Sequence, residues 1–309
     1  MNSNLQSIIA KIPNWVNAKE LVIEEISGLT NKNYRVIVDG EQFVLRISGK
    51  NTENLGINRE HEFEALRAAS DAEIGPKVVR FIEPEGYLVT RWIEGRHWTS
   101  EEFRKPENIR LMVETIKRLH ALDSIEANFS PFSRVVSFAR TAQEFGIQLP
   151  QDFNGFLHTM QSIKDDQYRD LSGWLRFCHN DLAAVNYLYS DKEEKITIID
   201  WEFSGMGDVY FDLATLVYTH DTTGPISPEL EEYMLKCYFG KVIDESRIRL
   251  AGMKFMLMLF SALWGLLQHG MQKAGLIEEV EGFDYFEFAQ YLFDNDVKAR
   301  QADYLALKG

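Results

Sequence analysis

The sequence predicts an α+β fold of two lobes, a small strand-rich N-terminal part and a larger, mainly helical C-terminal part. Three observations carry this. Short β-branched and aromatic runs crowd the segment up to Thr90, helical patterns dominate from Asn108 onward, and 309 residues exceed what one compact core ordinarily organises. The expected division is 1–92 and 93–309.

Leu21–Ile26, Tyr34–Val38 and Phe43–Ile47 read as strands, and Asp39-Gly40 is a strong hairpin signal between the last two. Arg59–Ser70, rich in Glu, Ala, Leu and Arg, reads as a helix. Gly75-Pro76 breaks the chain before a strand at Val78–Ile82, and Pro84-Glu85-Gly86 turns it into Tyr87–Thr90. The expectation is a small antiparallel sheet with one helix inserted after its third strand, then a crossing near Thr90–Gly95. Beyond it, Leu111, Ile116, Leu119 and Leu122 share one apolar helical face, and Leu213–Val217 and Met253–Leu267 are further helical segments. One β interruption is expected: Phe177, then Asn186–Tyr189 and Ile196–Ile199, joined by a polar turn over Ser190–Lys195.

Composition narrows the function. A hydrophobic fraction of 45% excludes a disordered or fibrous chain. Cys178 and Cys237 are too few for a disulfide scaffold and suit a reducing compartment. A formal charge of −14 argues against a broad nucleic-acid footprint, which needs a basic face. Met1–Trp15 lacks a basic start followed by an apolar run, so no signal peptide is expected. The longest apolar stretch, Phe255–Leu267, is interrupted by Ser261 and Gly265 and falls short of the ~18 residues of a membrane span. The expectation is a cytoplasmic protein with no nucleic-acid and no membrane partner. Oligomeric state is not legible.

The sharpest signal is His179-Asn180-Asp181-Leu182-Ala183-Ala184-Val185-Asn186, followed by Asp200-Trp201-Glu202. If Ser190–Lys195 is the hairpin loop, Tyr189 faces Ile196 and Asn186 faces Ile199. Asp200 then lies beside Asn186 at the open end of the ribbon, with Asp181 on the loop just before it. One amide and two carboxylates converge without any long-range assumption. Such oxygens suit Mg²⁺, which prefers hard ligands, and Asp181 is positioned to take a proton from a substrate hydroxyl. The plainer reading is a surface turn with solvated side chains. The four-residue gap to Asn186 and a strand ending in Asp200 weigh against it.

These motifs, with Ile198-Ile199-Asp200-Trp201-Glu202-Phe203-Ser204-Gly205 and Asp212-Leu213-Ala214, resemble the catalytic loop and metal-binding triplet of the protein-kinase-like superfamily. Within it the chain looks most like the choline/ethanolamine kinase family, related to the aminoglycoside phosphotransferases. The resemblance covers nearly the whole chain and implies a two-lobed protein-kinase-like fold. It also implies the cofactors ATP and Mg²⁺, with Asp181 as the catalytic base and Asn186, Asp200 and Glu202 as metal ligands.

Other parts follow from the same resemblance. Ser27-Gly28-Leu29-Thr30-Asn31-Lys32-Asn33 resembles a phosphate-covering loop, with Thr30 and Asn31 contributing. It carries one glycine, not the glycine-rich run of protein kinases, and is otherwise an ordinary turn. Arg46 stands where protein kinases have a strand lysine holding phosphates, and its planar fork suits that task. Glu62 is the matching helix carboxylate by its spacing to Gly75-Pro76, with Glu60 and Glu64 as competitors. Val89-Thr90-Arg91-Trp92 matches the crossing where backbone groups meet adenine. Asp212 resembles a buried aspartate bracing the catalytic loop, with helix capping as the plainer alternative. His179 reads as a structural residue, and Cys178 as buried strand.

For the acceptor, the resemblance points to a cationic alcohol held by aromatic rings at Trp264, Tyr285 and Phe288. Leu267 stands where the family often has a second aromatic, and Phe288 replaces a tyrosine common there. Aromatics at helical spacing are otherwise core. The expected activity is phosphorylation of a small amino alcohol, choline first, with ethanolamine, thiamine or an aminoglycoside as alternatives. Two rivals from other classes are a nucleotide-binding pseudokinase acting as an interaction module and a helical binding protein. Asp181, Asn186 and Asp200 are all present, which argues against the pseudokinase.

Overall fold

In the computed structural model, which describes residues 3–26, 28, 30–167, 173–218 and 225–309, the N-terminal part is built on a five-stranded antiparallel sheet. Helices α1 (Ser3–Ile9) and α2 (Pro13–Val16) precede β1 (Leu21–Ile26), β2 (Lys32–Val38) and β3 (Glu41–Ile47). Helix α3 (Arg59–Asp71), β4 (Val78–Ile82) and β5 (Tyr87–Arg91) complete it in the order β1-β2-β3-β5-β4. The β2–β3 hairpin turns on Asp39-Gly40, both at positive φ, the backbone a two-residue turn of matching twist requires. The helix inserted after the third strand is α3. Its N-cap is Asn58, whose side chain accepts from the Glu60 and His61 amides.

Strand alternation sorts the sheet into two faces. Phe43, Leu45, Val36 and Val89 bury outward against Leu5, Ile8, Ile9, Ile12 and Trp15 of the N-terminal helices, which the sequence reading did not anticipate. Arg46 and Val44, opposite Leu88 and Thr90, take the inner face. Leu88 and Ala65, Leu66 and Ala69 of α3 join one core that runs through the helical part as far as Tyr304. Hydrophobic burial is therefore shared across the crossing at Trp92.

The C-terminal part comprises α4 (Ser100–Phe103), α5 (Pro106–His120), α6 (Pro131–Glu144), α7 (Phe153–Gln167), β6 (Leu175–Cys178), β7 (Tyr187–Ser190), β8 (Lys195–Ile198) and β9 (Gly205–Asp208). Then come α8 (Val209–Val217), α9 (Pro228–Phe239), α10 (Asp244–Lys273), α11 (Tyr285–Tyr291) and α12 (Lys298–Lys308), with a π-helical turn over Leu292–Val297 joining the last two. Strands β7 and β8 pair as one ribbon and β6 and β9 as another. Leu122 lies beyond the end of α5, so the apolar face read there stops at Leu119.

The long apolar segment corrects one expectation. It is a helix of 30 residues, long and apolar enough to cross a membrane, where the sequence reading saw a short run. Most of its apolar window is buried against α6, α8, α11 and α12, so the reading as a core helix stands. Phe260 at its middle meets Phe129, Phe138, Phe203 and Phe211 ring to ring, with centroids 5.3–6.0 Å apart. Phe203 lies in the loop directly after Glu202, so its ring contact ties that loop to α10.

Gly265 lets α11 approach this axis. A Cβ there would lie 3.0 Å from the Tyr285 carbonyl and 3.1 Å from Phe288 and Ala289. Gly265→Val is expected to destabilise the protein by roughly 1–3 kcal/mol through overpacking. A urea midpoint unchanged from wild type would show that α11 gives way at no cost.

Candidate active site

The β7–β8 register is the one the hairpin predicts. Tyr189 pairs with Ile196, and the Ile199 amide donates to the Asn186 carbonyl at 3.0 Å. Asn186 closes back on the loop before it, its Nδ2 donating to the Asp181 carbonyl at 2.8 Å and to Asp181 Oδ2 at 3.0 Å. With the amide nitrogen so used, its oxygen is the end left to serve as a ligand. Asp200 follows the ribbon in a left-handed conformation (φ 64°), and Asn180 has the same geometry (φ 65°). Asx residues tolerate that region best, and both sit where the chain must turn a polar group into the cleft.

The segment that begins at His179 is suspended from Asp212. This carboxylate is fully buried and accepts from the His179 amide at 2.9 Å, the Asn180 amide at 2.6 Å and His120 Nε2 at 2.9 Å. His120 Nδ1 in turn lies 2.6 Å from the Tyr238 hydroxyl. Asp212 is thus a brace, and the capping alternative falls to Asp208, whose side chain accepts from the Tyr210 amide. His120 and Tyr238 were missed by sequence reasoning, because α5 and α9 reach the loop only through tertiary packing.

His179 is structural in form. Its Nε2 faces the Ile199 carbonyl at 3.1 Å, Nδ1 accepts from the Asp181 amide at 3.3 Å, and Trp201 packs edge-on at 4.8 Å. Burial pushes its pKa down to about 4, so the ring is neutral at physiological pH. Asn180 ties the loop to the triplet by donating to the Phe203 carbonyl at 3.0 Å. Cys178 is fully buried at the end of β6, and burial raises its thiol pKa.

Carboxylates crowd the cleft. Ligand oxygens of Glu62, Asp200 and Glu202 lie within 4.8 Å of one another. Arg46 pairs with Glu62, and neither Glu60 nor Glu64 takes that place. Burial would raise the Glu62 carboxyl, but Arg46 and Arg59 outweigh it and hold it below the usual range. Asp200 lacks such support. Its Oδ1 is 3.9 Å from Arg46 Nη1 and has no hydrogen-bond partner among the described residues. Burial and the neighbouring Glu202 raise its pKa well above the ordinary value. Asp181 is likewise pushed up to about 7, first by burial and then by Glu202.

An orphaned carboxylate oxygen beside two further acidic groups and an amide oxygen is a donor set that fits a divalent, oxygen-seeking cation. Arg46 Nε and Arg59 Nε are also buried without partners among the described residues, and they present anion-binding capacity to the same region.

The loop expected to cover phosphates lies above this cluster, with Ser27 and Leu29 outside the described residues. Gly28 is required there, since a Cβ would come within 2.4 Å of the Asn31 carbonyl. Thr30 is half-buried, with its carbonyl so close to Gly49 that a Cβ at that position would lie 2.0 Å away. Asn31 is buried and donates to Glu202 Oε2 at 2.9 Å. Val89, Thr90 and Arg91 lie in the interior strand β5 between β3 and β4, and the Trp92 amide donates to the Gln42 carbonyl.

The three predicted acceptor residues come together. Trp264 meets Tyr285 edge-on at 5.5 Å and Phe288 at 6.1 Å, and Phe283 packs on both Tyr285 and Phe288. Tyr285 is only 1% exposed and serves as backing, while Trp264 and Phe288 retain accessible faces. Leu267 is fully buried. Phe203, directly after Glu202, packs on Phe260 one helical turn before Trp264, which links the acidic cluster to the rings.

This fold and site define a kinase-type phosphotransferase of the protein-kinase-like class. The chain belongs to the choline/ethanolamine kinase family, whose profile matches residues 22–230. It is 27% identical to the protein LicA of Haemophilus influenzae over 232 residues, which covers 72% of this chain and 64% of that relative's length. Human ethanolamine kinase 2 is 24% identical over 320 residues, covering 93% and 78% of the two chains. A choline/ethanolamine kinase family protein from Mesorhizobium loti superposes with a TM-score of 0.73 at 25% identity, covering 97% of each chain.

Removing the brace tests how much of the site depends on it. Asp212→Ala strands two backbone amides and the His120 ring N–H in a dry interior, and should destabilise the fold by about 3–5 kcal/mol. A loss under about 1 kcal/mol in chemical denaturation would mean that the loop holds itself.

Proposed function

We propose that this protein transfers the γ-phosphoryl group of ATP to the hydroxyl of choline, releasing ADP and phosphocholine. The observation that carries the reading is Asp181, a half-buried carboxylate steered by Asn186 and standing next to the acidic cluster that ends the β7–β8 ribbon. In this reading Asp181 accepts the hydroxyl proton as the alcohol oxygen bonds to the γ-phosphorus and the bond to the ADP oxygen breaks. Asn186 and Asp200 hold Mg²⁺, with Glu202 beside them. When bound, the ion neutralises charge on the phosphate oxygens.

Arg46, oriented by Glu62, is the residue on the small lobe that donates hydrogen bonds to phosphate, and its orphaned Nε supports that role. Thr30 and Asn31 cover the phosphates. The adenine lies against the Val89–Trp92 crossing and the backbone beyond it. Trp264 and Phe288 offer ring faces to a trimethylammonium group, with Tyr285 behind them, and each well-placed ring contributes roughly 0.5–2 kcal/mol.

Ethanolamine is the second reading. It is favoured by the buried Leu267, which adds no ring to the cage, and by the family's double description. An ADP-release assay with ATP and Mg²⁺ separates the two. Choline is expected to exceed ethanolamine in kcat/KM by about tenfold or more, equivalent to ~1.4 kcal/mol. The reverse order assigns ethanolamine, and equal rates with thiamine or an aminoglycoside overturn both.

Asp181→Asn should lower turnover by ~10²–10⁴ while leaving nucleotide affinity nearly intact. Near-normal turnover removes Asp181 from its role. The pH dependence follows from the raised carboxyl. A base with a pKa near 7 is protonated below that pH, so kcat/KM for the alcohol should fall on the acid side. Raising Mg²⁺ should move this limb to lower pH, because a nearby cation favours the carboxylate. An acid limb indifferent to Mg²⁺ would separate Asp181 from the cation site.

A further inference from the structure

The cleft contains a second buried arginine that the roles above do not use. Arg59 opens α3, and its side chain is 13% exposed. Its guanidinium reaches three segments. Nη1 donates to Glu62 Oε2 at 2.7 Å and to Glu202 Oε2 at 3.1 Å, and Nη2 donates to Asn31 Oδ1 at 2.9 Å. Asn31 completes the ring by donating to the same Glu202 oxygen and accepting from the Gly49 amide at 3.2 Å. Glu202, with a side chain only 4% exposed, is therefore held by one arginine and one amide from the opposite lobe.

The carboxyl groups outnumber the guanidiniums. Glu62, Asp200 and Glu202 face only Arg46 and Arg59 among the described residues. Arg46 is committed to Glu62, which leaves Arg59 as the one cation in contact with Glu202 among the described residues. A divalent cation arriving beside Glu202 meets that guanidinium at short range, among side chains only 4% and 13% exposed, where like charges repel more than in water. An incoming polyphosphate meets the same guanidinium as an attraction.

We propose that Arg59 is a positioning residue that sets what the acidic cluster accepts: it opposes loading of a bare divalent cation and favours the cation only together with nucleotide phosphates. This rests on the assignment of Asp200 and Glu202 to the cation under Proposed function. Arg59 acts through Glu202 and Asn31, so the phosphate-covering loop and the acidic triplet respond as one unit to the ligand that neutralises both.

The opposite signs make the test selective. Mn²⁺ binding to nucleotide-free protein is measured by the EPR signal of the free ion, with thermal stability and KM for ATP measured alongside. Arg59→Met is expected to tighten Mn²⁺ by about tenfold, the ratio equivalent to ~1.4 kcal/mol. It should raise the KM for ATP by a similar factor. Arg59→Lys keeps the charge and loses the three-way fork, so its Mn²⁺ affinity should stay near wild type even as its melting temperature falls.

If Arg59 were only scaffold, Arg59→Met would weaken or leave unchanged the binding of Mn²⁺, and either result overturns the proposal. Should that variant fail to fold, Arg59→Lys decides: a Mn²⁺ affinity raised as the fork is lost would overturn the charge argument. Asp200→Asn separates this from the underlying assignment. If it leaves Mn²⁺ binding intact, the cation assignment itself fails, whatever Arg59 does.

Discussion

The rest of the structure depends on a cluster of carboxyl groups that outnumbers its guanidiniums between the two parts of the chain. Three carboxylate side chains converge within 4.8 Å, and both guanidiniums that restrain them come from the small lobe. Removing charges from water is costly unless partners compensate. Here compensation is incomplete, and the incompleteness is informative. Glu62 is satisfied by two arginines and stays ionised, whereas Asp200 and Asp181 are left with raised carboxyl pKa values. Carboxyl groups perturbed by burial and by one another in a cleft are a feature that functional sites concentrate.

Holding such a cluster together requires a rigid apolar frame. The perpendicular and tilted rings around Phe260 join α10 to the loop after β8, and Asp212 suspends the loop before β7 from the start of α8. Two neighbouring residues in left-handed conformations, Asn180 and Asp200, complete the turn of polar groups into the cleft. Neither hydrogen bonds alone nor packing alone would hold these conformations. Burial limits competition from solvent, and the Asp212 brace supplies partners for the buried His179 and Asn180 amides.

Much of this was legible in order along the chain. The Asp39-Gly40 hairpin, the helix after β3 and the β7–β8 register follow from local rules, and the register alone brings Asn186 beside the residue before Asp200. The brace was one of two readings of Asp212 that its place left open, since an aspartate near a helix start also suits a cap. Arg59 carried a weak signal, three residues before Glu62 on one helix face, but that spacing more often marks a surface pair. The N-terminal helices α1 and α2 were missed because their short apolar pattern gains its meaning only against the outer face of the sheet.

The sequence by itself determined the order of strands and helix from β1 to β5, the hairpin that gathers Asn186 and Asp200, and the resemblance to the family. These rest on turn chemistry, strand alternation and residue spacing, which act over a few residues. Only the tertiary structure decided that Glu62 meets Arg46, that Asn31 and Arg59 hold Glu202, and that Tyr285 backs Trp264 instead of facing the cleft. Those contacts join residues up to 171 positions apart. The choice among competing carboxylates and rings is made by burial, where small differences in placement separate a solvated side chain from one that must find a partner.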